Sequence, residues 1–96
     1  MLVIITYDVS TQTLAGQKRL RRVAKICQSY GQRVQNSVFE CNLDATLLLV
    51  VKDKLLSEID VTQDSLRFYK LGNSYKTKTE HYGIKPGFDV TSPLVL

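Results

Sequence analysis

Thiols and imidazoles are too scarce in this chain to build a metal–thiolate centre. Cys27 and Cys41 do not stand at metal-ligand spacing, and His81 is the only histidine available to join them. Both cysteines fall on apolar faces, where a free thiol behaves as a small hydrophobe. Apolar residues never run long: the longest uninterrupted stretch of the second helical segment, 47–51, is far short of the roughly 20 residues a membrane span requires. The apolar start of the chain has no basic segment before it and no small-residue cleavage site after it, so it does not read as a secretory signal. Internal repeats and low-complexity segments are also absent. These absences lead to the expectation of a cytoplasmic protein with no membrane partner.

The 96 residues suffice for one domain, 1–96, and for a modest core. A hydrophobic content of 44% with 23% charge places the chain among globular sequences. Because so short a chain buries a limited fraction of its surface, pairing with a second copy is a natural way to gain core. The net charge of +4 is unevenly placed. Residues 1–43 carry six basic and two acidic groups, whereas 44–69 carry three basic and five acidic ones. One face is therefore suited to a polyanion.

Leu2-Val3-Ile4-Ile5-Thr6-Tyr7-Asp8 has the pattern of a central β-strand that ends on a charge. Leu20, Val23, Ala24, Cys27 and Tyr30 form one helical stripe, with Lys18, Arg21, Arg22 and Lys25 on the other side. Arg19 lies on the flank of that stripe, at the seam between core and solvent. Gly31 is expected to end the helix in a left-handed cap. Residues 33–43 are extended in two pieces broken near Gln35-Asn36-Ser37, with Phe39, Cys41 and Leu43 sharing a face. Asp44 is an N-cap for a second helix over 45–59, whose core stripe is Leu47, Leu48, Val51, Leu55 and Ile59. Residues 60–64 form a polar connection, and 65–71 alternate as a strand before a turn at Gly72-Asn73-Ser74. Residues 75–89 are polar and irregular, and 90–96 suit a short edge strand.

The resulting order, β-α-β-β-α-β with an extra C-terminal strand, is an α+β, ferredoxin-like arrangement with two helices on one face of an antiparallel sheet. The uncovered sheet face must meet solvent or another subunit. The first strand is apolar on both faces, which favours another subunit.

Asp8 is a candidate metal-binding and catalytic carboxylate, because it emerges from a rigid strand near a basic, polar segment. Its alternative role is to start the next loop by bonding to the amides of Ser10-Thr11. Arg33 suits two-pronged phosphate contact, and Asn36 and Ser37 add polar groups at the strand break. Phe39 fits either the core or base stacking, and Tyr7 either packs or orients the site through its hydroxyl. Lys18, Arg19, Arg21 and Arg22 are candidate phosphate contacts, with a solvated helix face as the alternative. His81 is expected to be a surface residue. Tyr75, Lys76, Lys78 and Tyr82 alternate base and aromatic, as nucleic-acid binders do and as polar loops also do.

Strand-terminal Tyr7-Asp8, the basic run Lys18-Arg19-Leu20-Arg21 and the segment from Tyr30 through Gln32-Arg33-Val34-Gln35-Asn36-Ser37-Val38-Phe39-Glu40-Cys41 together resemble the small CRISPR-associated adaptation proteins of the Cas-two family, commonly labelled endoribonucleases. The resemblance covers essentially the whole chain. It implies a homodimer packed through its sheets, with the C-terminal strand, 90–96, joining the partner's sheet. It further implies assembly with the CRISPR integrase in capturing new spacer DNA, and metal-dependent cleavage of RNA or double-stranded DNA. Asp8 matches the family's strand-end aspartate, the ligand of Mg²⁺ or of Mn²⁺ in its place. Arg33 and Phe39 match positions associated with substrate handling or the nuclease site. A non-catalytic DNA-binding scaffold that bridges integrase dimers is the alternative. A ferredoxin-like RNA binder outside CRISPR is disfavoured by the lack of sheet-borne aromatics at RNA-recognition spacing.

Overall fold

The computed structural model describes residues 1–71 and 78–84. Its elements run β1 (Leu2–Asp8), α1 (Leu14–Tyr30), β2 (Gln32–Gln35), β3 (Val38–Asn42), α2 (Ala45–Glu58), β4 (Ser65–Leu71) and β5 (Lys78–Gly83). The sheet order is β2-β3-β1-β4-β5, with every neighbouring pair antiparallel. The first four strands and two helices make the expected ferredoxin-like arrangement, with β1 at its centre.

Strand alternation decides which residues make the core. Val3, Ile5 and Tyr7 of β1 are buried and join Phe39 and Cys41 of β3 and Leu66 and Phe68 of β4. Val23 and Cys27 of α1 and Leu48, Val51 and Leu55 of α2 close over them, so both helices cover one face. Burying each of the larger side chains stabilises the fold by roughly 1.5–3 kcal/mol. Leu2, Ile4, Thr6 and Asp8 point to the opposite face, beside Tyr69 and Leu71 across the β1–β4 register. Among the described residues no helix covers this face, and Leu2 and Leu71 are exposed on it.

The helix starts follow ordinary capping chemistry. The Thr13 hydroxyl accepts from the Gly16 amide (3.0 Å), and Asp44 accepts from the Leu47 amide (2.7 Å). Gly31 corrects the expectation of a left-handed cap: it is extended, at φ −158°. Glycine is needed there for space, because a Cβ would collide with the Cys41 thiol and the Glu40 carbonyl. Positive φ occurs instead, among the described residues, in the β2–β3 turn at Ser37 (φ 63°) and at Gly83 (φ 93°).

Within 75–89, expected to be irregular, the described residues 78–83 form the strand β5 at one edge of the described sheet. The strand lacks an apolar alternation because its helix-side position is held by charge. Glu80 accepts from Lys52 of α2 (2.5 Å) and Tyr82 (2.9 Å), and pairs with Lys70 of β4 (2.5 Å). The proposed C-terminal strand, 90–96, and the turn at 72–74 lie outside the described residues. No helix is long and apolar enough to cross a membrane among the described residues.

Candidate functional site

Asp8 is the last residue of β1 and is exposed. Among the described residues its carboxylate has no hydrogen-bond or ion-pair partner. The alternative of a loop-starting bond to the amides of Ser10-Thr11 is overturned, because the Ser10 amide donates to Asp64 (3.0 Å) and Asp8 accepts from neither. Asp8 is thus a free acid on a fixed strand end, opposite Ser65 and on the helix-free face.

Tyr7, Arg33 and Phe39 gather on the other face. The Tyr7 and Phe39 rings stack with centroids 6.1 Å apart, and the Arg33 guanidinium lies 5.1 Å from the Phe39 centroid. Phe39 is fully buried, so it offers no surface for a base and acts as the floor under Arg33. Burial pushes the Tyr7 hydroxyl pKa up, helped by Cys27 and opposed by Arg33 and the Ser37 hydroxyl. Burial likewise pushes the Cys27 thiol to about 12, leaving it an inert core group at neutral pH. The sheet therefore separates the cation–aromatic stack from the Asp8 carboxylate.

The Asn36–Ser37 turn does come to the Asp8 end of the molecule. Its Ser37 carbonyl accepts from the Tyr7 amide (3.2 Å), next to Asp8 in the chain. On α1, Lys18, Arg21 and Arg22 are exposed, and Arg22 makes only a long contact with Glu58 (3.8 Å). These three remain open to phosphate. Arg19 is engaged instead: its Nε and Nη2 donate to Asp64 at 2.8 and 3.3 Å.

Asp64 is the residue sequence reasoning missed. Taken there as part of a polar connection, it is completely buried and also accepts from the Asp60 amide (2.9 Å). Burial alone would raise its carboxyl pKa; the Arg19 guanidinium and the Asp60 and Ser10 amides outweigh this and hold it below its ordinary value. His81 is also more than a surface residue. Arg67 donates to its Nδ1 (3.2 Å from Nε), and since a guanidinium offers only donors, the proton sits on Nε2 and faces the Ile84 carbonyl (2.7 Å).

The donor set bears on a metal. Among the described residues no three His, Cys, Asp or Glu side chains cluster as ligands. Asp64 at this end of the sheet is buried and bonded to Arg19, so one chain offers a metal here the single exposed carboxylate of Asp8, too little for an all-protein cage but compatible with Mg²⁺ that keeps waters and takes phosphate oxygens.

The family model for CRISPR associated protein Cas2 matches residues 1–79. The chain is 62% identical over 95 residues to the CRISPR-associated endonuclease Cas2 of Halalkalibacterium halodurans, covering 99% of each. It is 55% identical to the CRISPR-associated endoribonuclease Cas2 of Nitratidesulfovibrio vulgaris, covering all of this chain and 94% of that one. The crystal structure of Streptococcus pyogenes Cas2 at pH 6.5 superposes with a TM-score of 0.70 at 55% identity, covering 78% of this chain and 90% of that one. A ferredoxin-like frame, a strand-terminal acid and likeness along nearly the whole sequence converge: the chain belongs to the CRISPR-associated Cas2 family.

Proposed function

We propose that the chain is a metal-dependent endonuclease that hydrolyses phosphodiester bonds of RNA or double-stranded DNA, and that it works with the CRISPR integrase in spacer acquisition. The observation that carries this reading is the exposed, unpartnered Asp8 carboxylate at a rigid strand end. The names of its relatives, endonuclease and endoribonuclease, agree with it. Two copies joined through their helix-free faces would bring two Asp8 side chains to one Mg²⁺ or Mn²⁺ site. The apolar Leu2, Ile4, Tyr69 and Leu71 suit that contact. The bound cation would supply positive charge to the phosphate oxygens. Lys18, Arg21 and Arg22 would hold flanking phosphates, and Arg33 would do so from the far face.

The test is cleavage of RNA and duplex DNA by the intact chain and by Asp8→Asn. The variant should lose cleavage at least ~100-fold while its dimerisation and nucleic-acid affinity stay unchanged. Cleavage that survives both the substitution and a chelator would overturn the nuclease reading. A monomer by sedimentation at working concentration would remove the shared site.

The lack of a three-ligand cluster among the described residues of one chain, with Arg33 across the sheet from Asp8, favours a second reading. In it the dimer is a scaffold that bridges integrase dimers and grips duplex DNA on α1. Spacer acquisition would then tolerate Asp8→Asn but fail in Arg21→Glu/Arg22→Glu. Acquisition that persists in the charge-reversed protein would exclude it.

A further inference from the structure

Two residues beyond Asp8, the chain is gripped from two sides. The Ser10 amide donates to Asp64 Oδ1 at 3.0 Å. Across from that bond, Gly16 in the first turn of α1 packs so tightly on the Ser10 carbonyl that a Cβ would collide with it. Val9, between Asp8 and Ser10, is buried. The backbone leaving the candidate site therefore has little freedom, and a single carboxylate supplies much of the restraint.

That carboxylate is itself fixed. Asp64 Oδ2 accepts from Arg19 Nε (2.8 Å) and from the Asp60 amide (2.9 Å), while Arg19 Nη2 reaches Oδ1 (3.3 Å). The Asp64 amide donates to the Asp60 carbonyl (2.7 Å), and its carbonyl accepts from the Ile84 amide (3.0 Å). The next residue, Ser65, is the β4 partner of Asp8. One buried residue thus joins the β1–α1 loop, helix α1, the α2–β4 loop and the end of β5, all at the end of the sheet that carries Asp8.

We propose that Asp64, oriented by Arg19, is a positioning residue that holds the Asp8 carboxylate in its working geometry. This rests on the reading of Asp8 as the centre of the nuclease site. Neither Asp64 nor Arg19 need touch substrate. An error of about an ångström at a reacting group can lower turnover by ~100-fold, so a device that fixes the following backbone is consequential. The inference gives Arg19 a role distinct from phosphate contact: a positioning residue changes kcat, whereas a phosphate contact changes affinity and its salt dependence.

The experiment compares the full chain with Asp64→Asn and Arg19→Lys, at a temperature where circular dichroism shows each fully folded. It measures kcat and KM on RNA and duplex DNA, and amide exchange at Ser10. Asp64→Asn should lower kcat at least ~10-fold with KM within about twofold, and speed Ser10 exchange by a similar factor. Arg19→Lys keeps the charge but loses the two-pronged fork, and should show the same pattern more weakly. An unchanged kcat in folded variants overturns the proposal, as does an Arg19→Lys variant whose only defect is a raised KM. If Asp64→Asn does not fold, Arg19→Lys decides alone. If the parent chain fails to cleave, the nuclease reading falls, and Ser10 exchange still decides whether the pair restrains the strand end: equal protection in parent and variants overturns it.

Discussion

Asp64 and Glu80 are both carboxylates that gather several donors, yet they hold different things. Asp64 is fully buried and takes two backbone amides together with a two-pronged guanidinium. Glu80 keeps about a quarter of its side chain exposed and takes two lysine ammonium groups and a tyrosine hydroxyl. Backbone amides and a planar fork specify direction, so the first cluster sets geometry. Ammonium groups on flexible stems act as point charges, so the second attaches an edge strand without fixing any atom closely. The difference follows location: the first stands beside the candidate site, the second on the far edge of the sheet.

The largest effect should come from breaking the first cluster outright. Asp64→Ala removes a buried charge and leaves the Ser10 and Asp60 amides without acceptors. Chemical unfolding should show a loss of about 3–5 kcal/mol. A loss no greater than that of Glu80→Gln would erase the distinction between the two sites.

Glu80→Gln should cost less, about 1–2 kcal/mol at neutral pH, since water partly screens its partners. Its effect should also depend on pH in a definite direction. The Lys52 and Lys70 ammonium groups hold the Glu80 carboxyl near 2, below its ordinary 4.5. A lowered folded-state pKa means that the stabilisation is present in full above about 4.5 and fades as pH falls toward about 2. Urea unfolding at pH 7 should separate parent from variant, and the gap should close near pH 2. A gap that persists there would show that the link is one of packing instead of charge.

These clusters also show what the sequence made legible. Apolar spacing located both helices and β1, β3 and β4, since period and burial coincide there, whereas β2 is exposed throughout and was legible only from the break that follows it. It missed β5 because Glu80, Lys52 and Lys70 occupy a position that patterning expects to be apolar. The exposure of Asp8 and its place at a strand end were both readable, because alternation along β1 fixes them. Arg33 stood near Asp8 in sequence logic, but the pairing of Arg33 with Phe39 puts its guanidinium on the opposite face. Asp64 escaped notice because Ser10 and Arg19, which tie it to the candidate site, are distant in the chain. One clue was present: Arg19 at the edge of an apolar stripe demands an acceptor, and an acid just before a central strand is well placed to supply it.

The smallest stability effect should come from a cation that neither cluster uses. Arg22 is largely exposed and meets Glu58 only at 3.8 Å, so Arg22→Gln should alter stability by less than about 0.5 kcal/mol. Its effect belongs on binding instead. If α1 holds phosphates, removing one cation from it should weaken affinity for any sequence and flatten the dependence of log K on log salt by about 1. Arg19→Gln should leave that slope unchanged, because the charge it removes is already committed to Asp64. Salt titrations of the two variants therefore sharpen the comparison in one measurement. Equal slopes for both would mean that Arg19 leaves Asp64 when nucleic acid arrives, and the division between a cluster that sets geometry and a surface that binds phosphate would fail at that residue.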